Sequence, residues 1–188
     1  MLTDFEKVRD LFDVYGNHFG VPFSEIETCQ NRLNLALPNV LTQFYLQFGK
    51  HDAIIQTQNK LLSPDELYIH KSGYFIFYQE NQCVYWWGIP VSDLIQDNPM
   101  VYYTKDRQLW QVEQSLPTFL TASAYFQALF ALPFSANALA INTKSEEYIR
   151  KKWKNIGVVL HAWHTQFFQN TNDELLALIQ IMGRTTFL

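Results

Sequence analysis

The spacing His161-Ala162-Trp163-His164 is the sharpest metal-like feature of this 188-residue chain. Two histidines three apart share a helix face, but a zinc site needs a third or fourth ligand, and no HExxH motif occurs. Packing or surface histidines are therefore expected, and no metal site. His18, His51 and His70 stand alone. Cys29 and Cys83 form no CxxC, so two buried free thiols are expected rather than a disulfide. Cys83 falls in a strand-like run with Val84, Tyr85 and Trp86, where nothing lowers a thiol pKa. No Gly-x-Ser-x-Gly elbow, Walker loop or GxGxxG is present, and the 7 glycines are spread singly, so no phosphate cradle forms. Asp65-Glu66 after Pro64 reads as the start of a helix or turn. Asp93 and Asp97 flank Leu94 and Ile95, but a carboxylate pair does hydrolytic work only when held across a cleft. The sequence thus assigns no catalytic residue, cofactor or metal ligand, and a protein that is not an enzyme is expected.

The remaining chemistry is aromatic. Phe, Tyr and Trp number 15, 10 and 5, or 16% of the chain, while charged residues reach only 17%. A typical soluble protein carries roughly 25% charged residues. Tyr85, Trp86 and Trp87 are consecutive, so on an extended backbone Trp86 points opposite to Tyr85 and Trp87. Core packing is the plainer use of such rings. A partner-binding rim is the other, because Trp and Tyr are enriched at binding hot spots. With the neighbouring acids, the candidate partner-binding residues are Glu80, Tyr85, Trp87 and Asp97.

Fourteen Lys and Arg against 18 Asp and Glu give a net charge of −4. A nucleic-acid binder shows a basic domain or stripe, and none is expected here. The basic run with Lys144, Arg150, Lys151, Lys152 and Lys154 also places Glu146 before Arg150 and Glu147 before Lys151 at helical spacing, which reads as a solvated helix. No apolar stretch approaches a membrane span, and the N-terminus lacks the form of a secretory signal. A soluble, cytoplasmic protein without a membrane partner is expected.

The elements follow from periodicity and punctuation. Thr3 and Glu6 have capping-box spacing ahead of the stripe Phe5, Val8, Phe12, Tyr15 and Phe19, which predicts a first helix. Ser24 and Glu27 repeat the spacing after Pro22, with Ile26, Cys29 or Gln30, and Leu33 inward and Asn34 as the stop. Pro38 opens a third helix carrying Leu41, Phe44, Tyr45 and Phe48, stopped by Gly49. The middle changes to strands. A hairpin is predicted from Tyr74 to Gln79 and Gln82 to Gly88 around Glu80 and Asn81, then Met100 to Thr104, a turn at Asp106 and Arg107, and Gln108 to Glu113. Imperfect alternation suggests strands covered on both faces, or on one face plus a rim. Ser115 caps a helix with Pro117 in its first turn, ending before Pro133. The basic helix spans about Ser145 to Lys154. In the tail, a helix or a hairpin is open, and the cluster Asn170-Thr171-Asn172-Asp173 between apolar runs favours a hairpin. No linker divides the chain, so residues 1–188 read as one domain.

The stretch QNRLNLALPNVLTQFYLQFGK resembles the N-terminal signature of the SMI1/KNR4 family, the SUKH superfamily, through Leu33, Leu37, Pro38, Leu41, Phe44, Tyr45 and Gly49. Gln30 stands where the family has Glu, Asn34 where it has Gly, and Phe48 where it has the Asn before the final Gly. SGYFIFYQENQCVYWWGI is similar to the family's central hairpin, DNPMVYY to its next segment through Asp97, Pro99 and Val101, and SLPTFLTASAYFQALF to the helix that closes its core. The resemblance implies an α+β fold with a mostly antiparallel sheet and helices packed on it. It implies a cytoplasmic binding protein similar to the immunity proteins that neutralise contact-dependent or polymorphic toxins. The partner would then be a protein, a toxin domain encoded nearby. A regulatory scaffold with an endogenous cell-wall or signalling partner, as in the fungal branch, is the alternative, and an unrecognised enzyme or small-ligand binder is the third reading.

Overall fold

The computed structural model describes residues 5–16, 18–132, 136–138, 141–172, 174–181 and 184–187. Thr3, Pro133 and Asp173, each invoked above, lie outside them. Helix α1 (Glu6–Phe12) buries Val8 and ends where Asp13 turns left-handed at φ 55°. The stripe is therefore shorter than its spacing suggests, and Tyr15 is exposed. Helix α2 (Phe23–Leu33) starts directly after Pro22. Ser24 sits inside its first turn and its carbonyl accepts from Thr28, so the expected Ser24–Glu27 capping box does not form. The fixed φ of proline starts the helix instead. Asn34 ends α2 in the left-handed conformation at φ 50°, as its residue type allows. Helix α3 (Asn39–Phe48) follows Pro38 and buries Leu41, Phe44, Tyr45 and Phe48. A short α4 (Asp52–Ile55) leads into the strands.

The fold is α+β with two antiparallel sheets. In the six-stranded sheet the order is β1 (Asn59–Leu61), β3 (Tyr74–Glu80), β4 (Trp86–Pro90), β5 (Met100–Thr104) and β6 (Gln111–Ser115), with β2 (Tyr68–Ile69) also on β3. Strands β3 and β4 pair Gln79 with Trp86 and Tyr74 with Pro90, with a register shift between Ile76 and Tyr78. That bulge breaks the period-two pattern: Phe77 and Tyr78 both pack on Phe119. The turn is longer than the expected two residues. Cys83 lies in it at φ 57°, exposed, not buried in a strand as expected. Glu80 causes this, because its carboxylate accepts from the Gln82 and Val84 amides at 2.8 and 3.1 Å and curls the chain before it can pair. Cys29 is buried and free.

Helix α5 (Leu116–Ala131) is the centre of the molecule. It is buried nearly all round, from Leu116 and Phe119 to Ala128 and Leu129. It packs on the six-stranded sheet, on α1, α3 and α4, and on a second sheet of order β10 (Arg184–Phe187), β9 (Leu175–Ile181), β8 (Thr165–Gln169), β7 (Lys154–Leu160). The tail is thus a hairpin, β8 to β9, and the Asn170 side chain accepts the Asn172 and Glu174 amides in its turn. Helix α6 (Thr143–Lys152) is capped by Asn142 on the Ser145 amide, and Arg150 pairs with Glu146 at 2.8 Å. No helix among the described residues is long and apolar enough to cross a membrane.

Gln127 is a polar group inside this apolar helix, fully buried. Its Oε1 accepts the Gln58 and Asn59 amides at 2.7 and 3.2 Å, and its Nε2 donates to the Asn59 carbonyl and the Tyr78 hydroxyl. It ties α5 to the start of β1. Gln127→Leu leaves those backbone groups buried without partners, and about 2–3 kcal/mol of stability is expected to be lost. Urea denaturation with an unchanged slope would measure it.

Candidate functional site

Three loops meet at one end of the six-stranded sheet. They enclose an open cleft of about 770 Å³, lined by Glu80, Tyr85, Tyr103, Lys105, Trp163 and His164 among others. Each wall is built locally. The β3–β4 turn, wound on the Glu80 carboxylate, presents Tyr85. In the β5–β6 turn, Asp106 Oδ1 accepts from the Thr104 hydroxyl and from the Gln108 and Leu109 amides at 2.8 to 3.0 Å. Those backbone donors hold the Asp106 pKa below its ordinary value. This turn fixes Tyr103 and Lys105.

Trp163 comes from the far sheet, on a short 3-10 turn (His161–Trp163). Glu113, on β6, holds that turn. Its carboxylate accepts from the His161 and Ala162 amides and from the Trp87 indole at 3.3 Å. Only 2% of Glu113 is exposed. Burial raises its pKa, opposed by the His161 and Ala162 amides and the Trp87 indole. All three neighbours are donors and favour the ionised carboxylate, but burial outweighs them.

The rings interlock. Tyr85 lies 5.9 Å from Trp87, 6.1 Å from Tyr103 and 5.6 Å from Trp163, and Trp163 stacks on Phe126 at 4.9 Å. The Lys105 ammonium rests 4.9 Å above the Tyr85 ring, whose hydroxyl raises the lysine pKa by hydrogen bonding and charge. Tyr103 donates to Gln111. The cleft therefore offers aromatic faces, side-chain amides and a cation at one place, which suits recognition of a mixed polar and apolar surface.

Of the four candidate residues, Glu80 and Tyr85 line this cleft. Trp87 does not reach it as a contact surface: it is fully buried behind Tyr85, against Tyr78, Phe119 and Trp163. That corrects its assignment to a binding rim. The alternation was right about which rings share a face, but that face is the one α5 covers. Asp97 is exposed at the opposite end of β4 and β5, before Met100, and does not join the cleft. His161 and His164 bracket the Trp163 turn. Among the described residues no group of three or more His, Cys, Asp or Glu side chains is placed to hold a metal ion. No family model, curated protein or solved structure matches this chain.

The sequence missed Tyr103, Lys105 and Trp163. Tyr103 falls in the predicted strand Met100 to Thr104, but its pairing with Trp87 is visible only in the structure. Trp163 had no signal beyond its place between two histidines.

The Glu113 arrangement has a pH signature. Its folded pKa is raised above the unfolded value, so its contribution to stability is fully present below the unfolded pKa and is lost as pH rises through the folded one. The stability of the wild type relative to Glu113→Gln is therefore expected to fall across that interval. Thermal unfolding of both proteins over a pH series checks this, and a difference independent of pH would contradict it.

Proposed function

We propose that this protein is a non-catalytic, cytoplasmic binding protein of the immunity type, which neutralises a toxin domain encoded nearby by covering its active surface. The observation that carries the reading is the convergence of Tyr85, Tyr103 and Trp163, all only partly buried, on one open cleft beside Lys105 and Glu80. Half-buried Tyr and Trp flanked by charge are the residues that dominate binding energy in protein interfaces. The resemblance of residues 24–130 to SMI1/KNR4 proteins supports the same reading. Net charge −4 adds a modest attraction toward a basic partner, which salt should weaken.

Co-expression with the product of the adjacent gene tests this. The proposal expects that product to be toxic alone and harmless beside this protein. A neighbour that is not toxic, or that stays toxic in its presence, removes the immunity reading.

A further inference from the structure

The opposite face of the six-stranded sheet carries a different chemistry. Tyr74, Trp86 and Tyr102 point there, and Trp110 folds onto it from the β5–β6 loop. Tyr74 stacks on Trp110 at 3.8 Å and meets Tyr102 edge-on at 5.8 Å. Gly88 makes room for this layer: a Cβ there would lie 2.8 Å from the Phe75 carbonyl oxygen and 3.4 Å from Trp110. Met100 and Val112, on the same face, are exposed.

Arg107 lies flat on this layer. Its guanidinium sits 3.8 Å from the Trp86 ring, and its backbone is left-handed at φ 58°, a conformation that disfavours a long side chain. Other arginines donate to protein acceptors: Arg9 to Gln47, Arg32 to the Pro64 and Leu67 carbonyls, Arg150 to Glu146 and Gln166. Among the described residues the Arg107 guanidinium finds no acceptor. Its Nε and the indole nitrogens of Trp86 and Trp110 are buried without a hydrogen-bond partner, whereas its two Nη groups are not buried and are the donors left open to an acceptor. Burial, Arg107 and Lys71 all depress the His70 pKa, and Tyr68 lies within the field of Arg107. The nearest carboxylate in sequence, Asp106, turns back onto its own loop, and Asp93 acts on Tyr74.

We propose that this face is a second protein-docking surface, on which Arg107 takes the carboxylate of an acidic side chain of the partner. The planar guanidinium fork matches a carboxylate, with Trp86 as its floor. Exposed Val112, paired with Tyr102 on the same face, suits a protein segment, and a net charge of −4 opposes a polyanion such as nucleic acid. The face lies across the sheet from the cleft, and the inference stands or falls without it.

The test follows the indole N–H resonances of the full chain during titration with acetyl-Leu-Glu-Leu-amide, acetyl-Leu-Gln-Leu-amide and inorganic phosphate. The Glu peptide is expected to shift the Trp86 resonance saturably at millimolar concentration, and the Gln peptide is not. Arg107→Lys keeps the charge but loses the fork, and should weaken the Glu peptide about tenfold. Tyr148→Ala, on the exposed side of α6, should leave the shift unchanged. Equal shifts with both peptides, no shift with either, or a response to phosphate alone would overturn the assignment.

Discussion

Phe119→Ala is expected to cost about 3–5 kcal/mol of stability. Phe119 is fully buried on α5 at the meeting point of the sheet's inner rings. It lies 5.6 Å from Phe77, 5.3 Å from Tyr78 and 5.9 Å from Trp87, two of these edge-on. Truncation removes the transfer free energy of the ring and leaves a cavity bounded by large aromatics that cannot collapse into it. Tyr148→Ala, on the exposed side of α6, is the control and should change stability by no more than about 0.5 kcal/mol. Urea denaturation of both variants measures the contrast. A loss at Phe119 close to that of the control would mean that α5 is not the keystone of the core.

On the proposed immunity role, Tyr85→Ala is expected to weaken protection in cells strongly while costing less stability than truncation of the fully buried Trp87 behind it. Tyr85 is only partly buried and touches Tyr103, Trp163 and the Lys105 ammonium at the mouth of the cleft. Truncating a hot-spot tyrosine costs about 2 kcal/mol or more of binding, roughly a thirtyfold loss of affinity. Asp97→Ala, at the far end of the strands, should protect as the wild type does. Trp87→Ala should fail differently, by lowering stability, because Trp87 is core. Protection by Tyr85→Ala at the wild-type level would move the site away from the cleft.

What the sequence shows and hides is clear at this site. Leu41, Phe44, Tyr45 and Phe48 announce α3 because helical spacing puts them on one face. The strands from Tyr74 to Ser115 are announced by residue type and by turn residues. The Ser24 capping box fails because Pro22, two residues earlier, already fixes a helical start. Cys83 is misplaced because Glu80, read as a turn residue, recruits two further amides and lengthens the turn. Tyr85 to Trp87 shows the deeper limit. Alternation says which rings share a face, but both faces of this sheet are aromatic, so periodicity cannot say which one the helix covers. The cleft is less legible still. Its walls come from three loops brought together by Glu113, whose partners at Trp87 and at His161 and Ala162 are 26, 48 and 49 residues away.

Hydrogen–deuterium exchange on the complex with the adjacent gene's product tests the cleft as the binding site most directly. The account predicts slowed exchange in three segments together, residues 81–85, 103–111 and 161–164, relative to the free protein. Protection confined to α2, α6 or the β7–β8 edge, with those three loops exchanging as in the free chain, would contradict it.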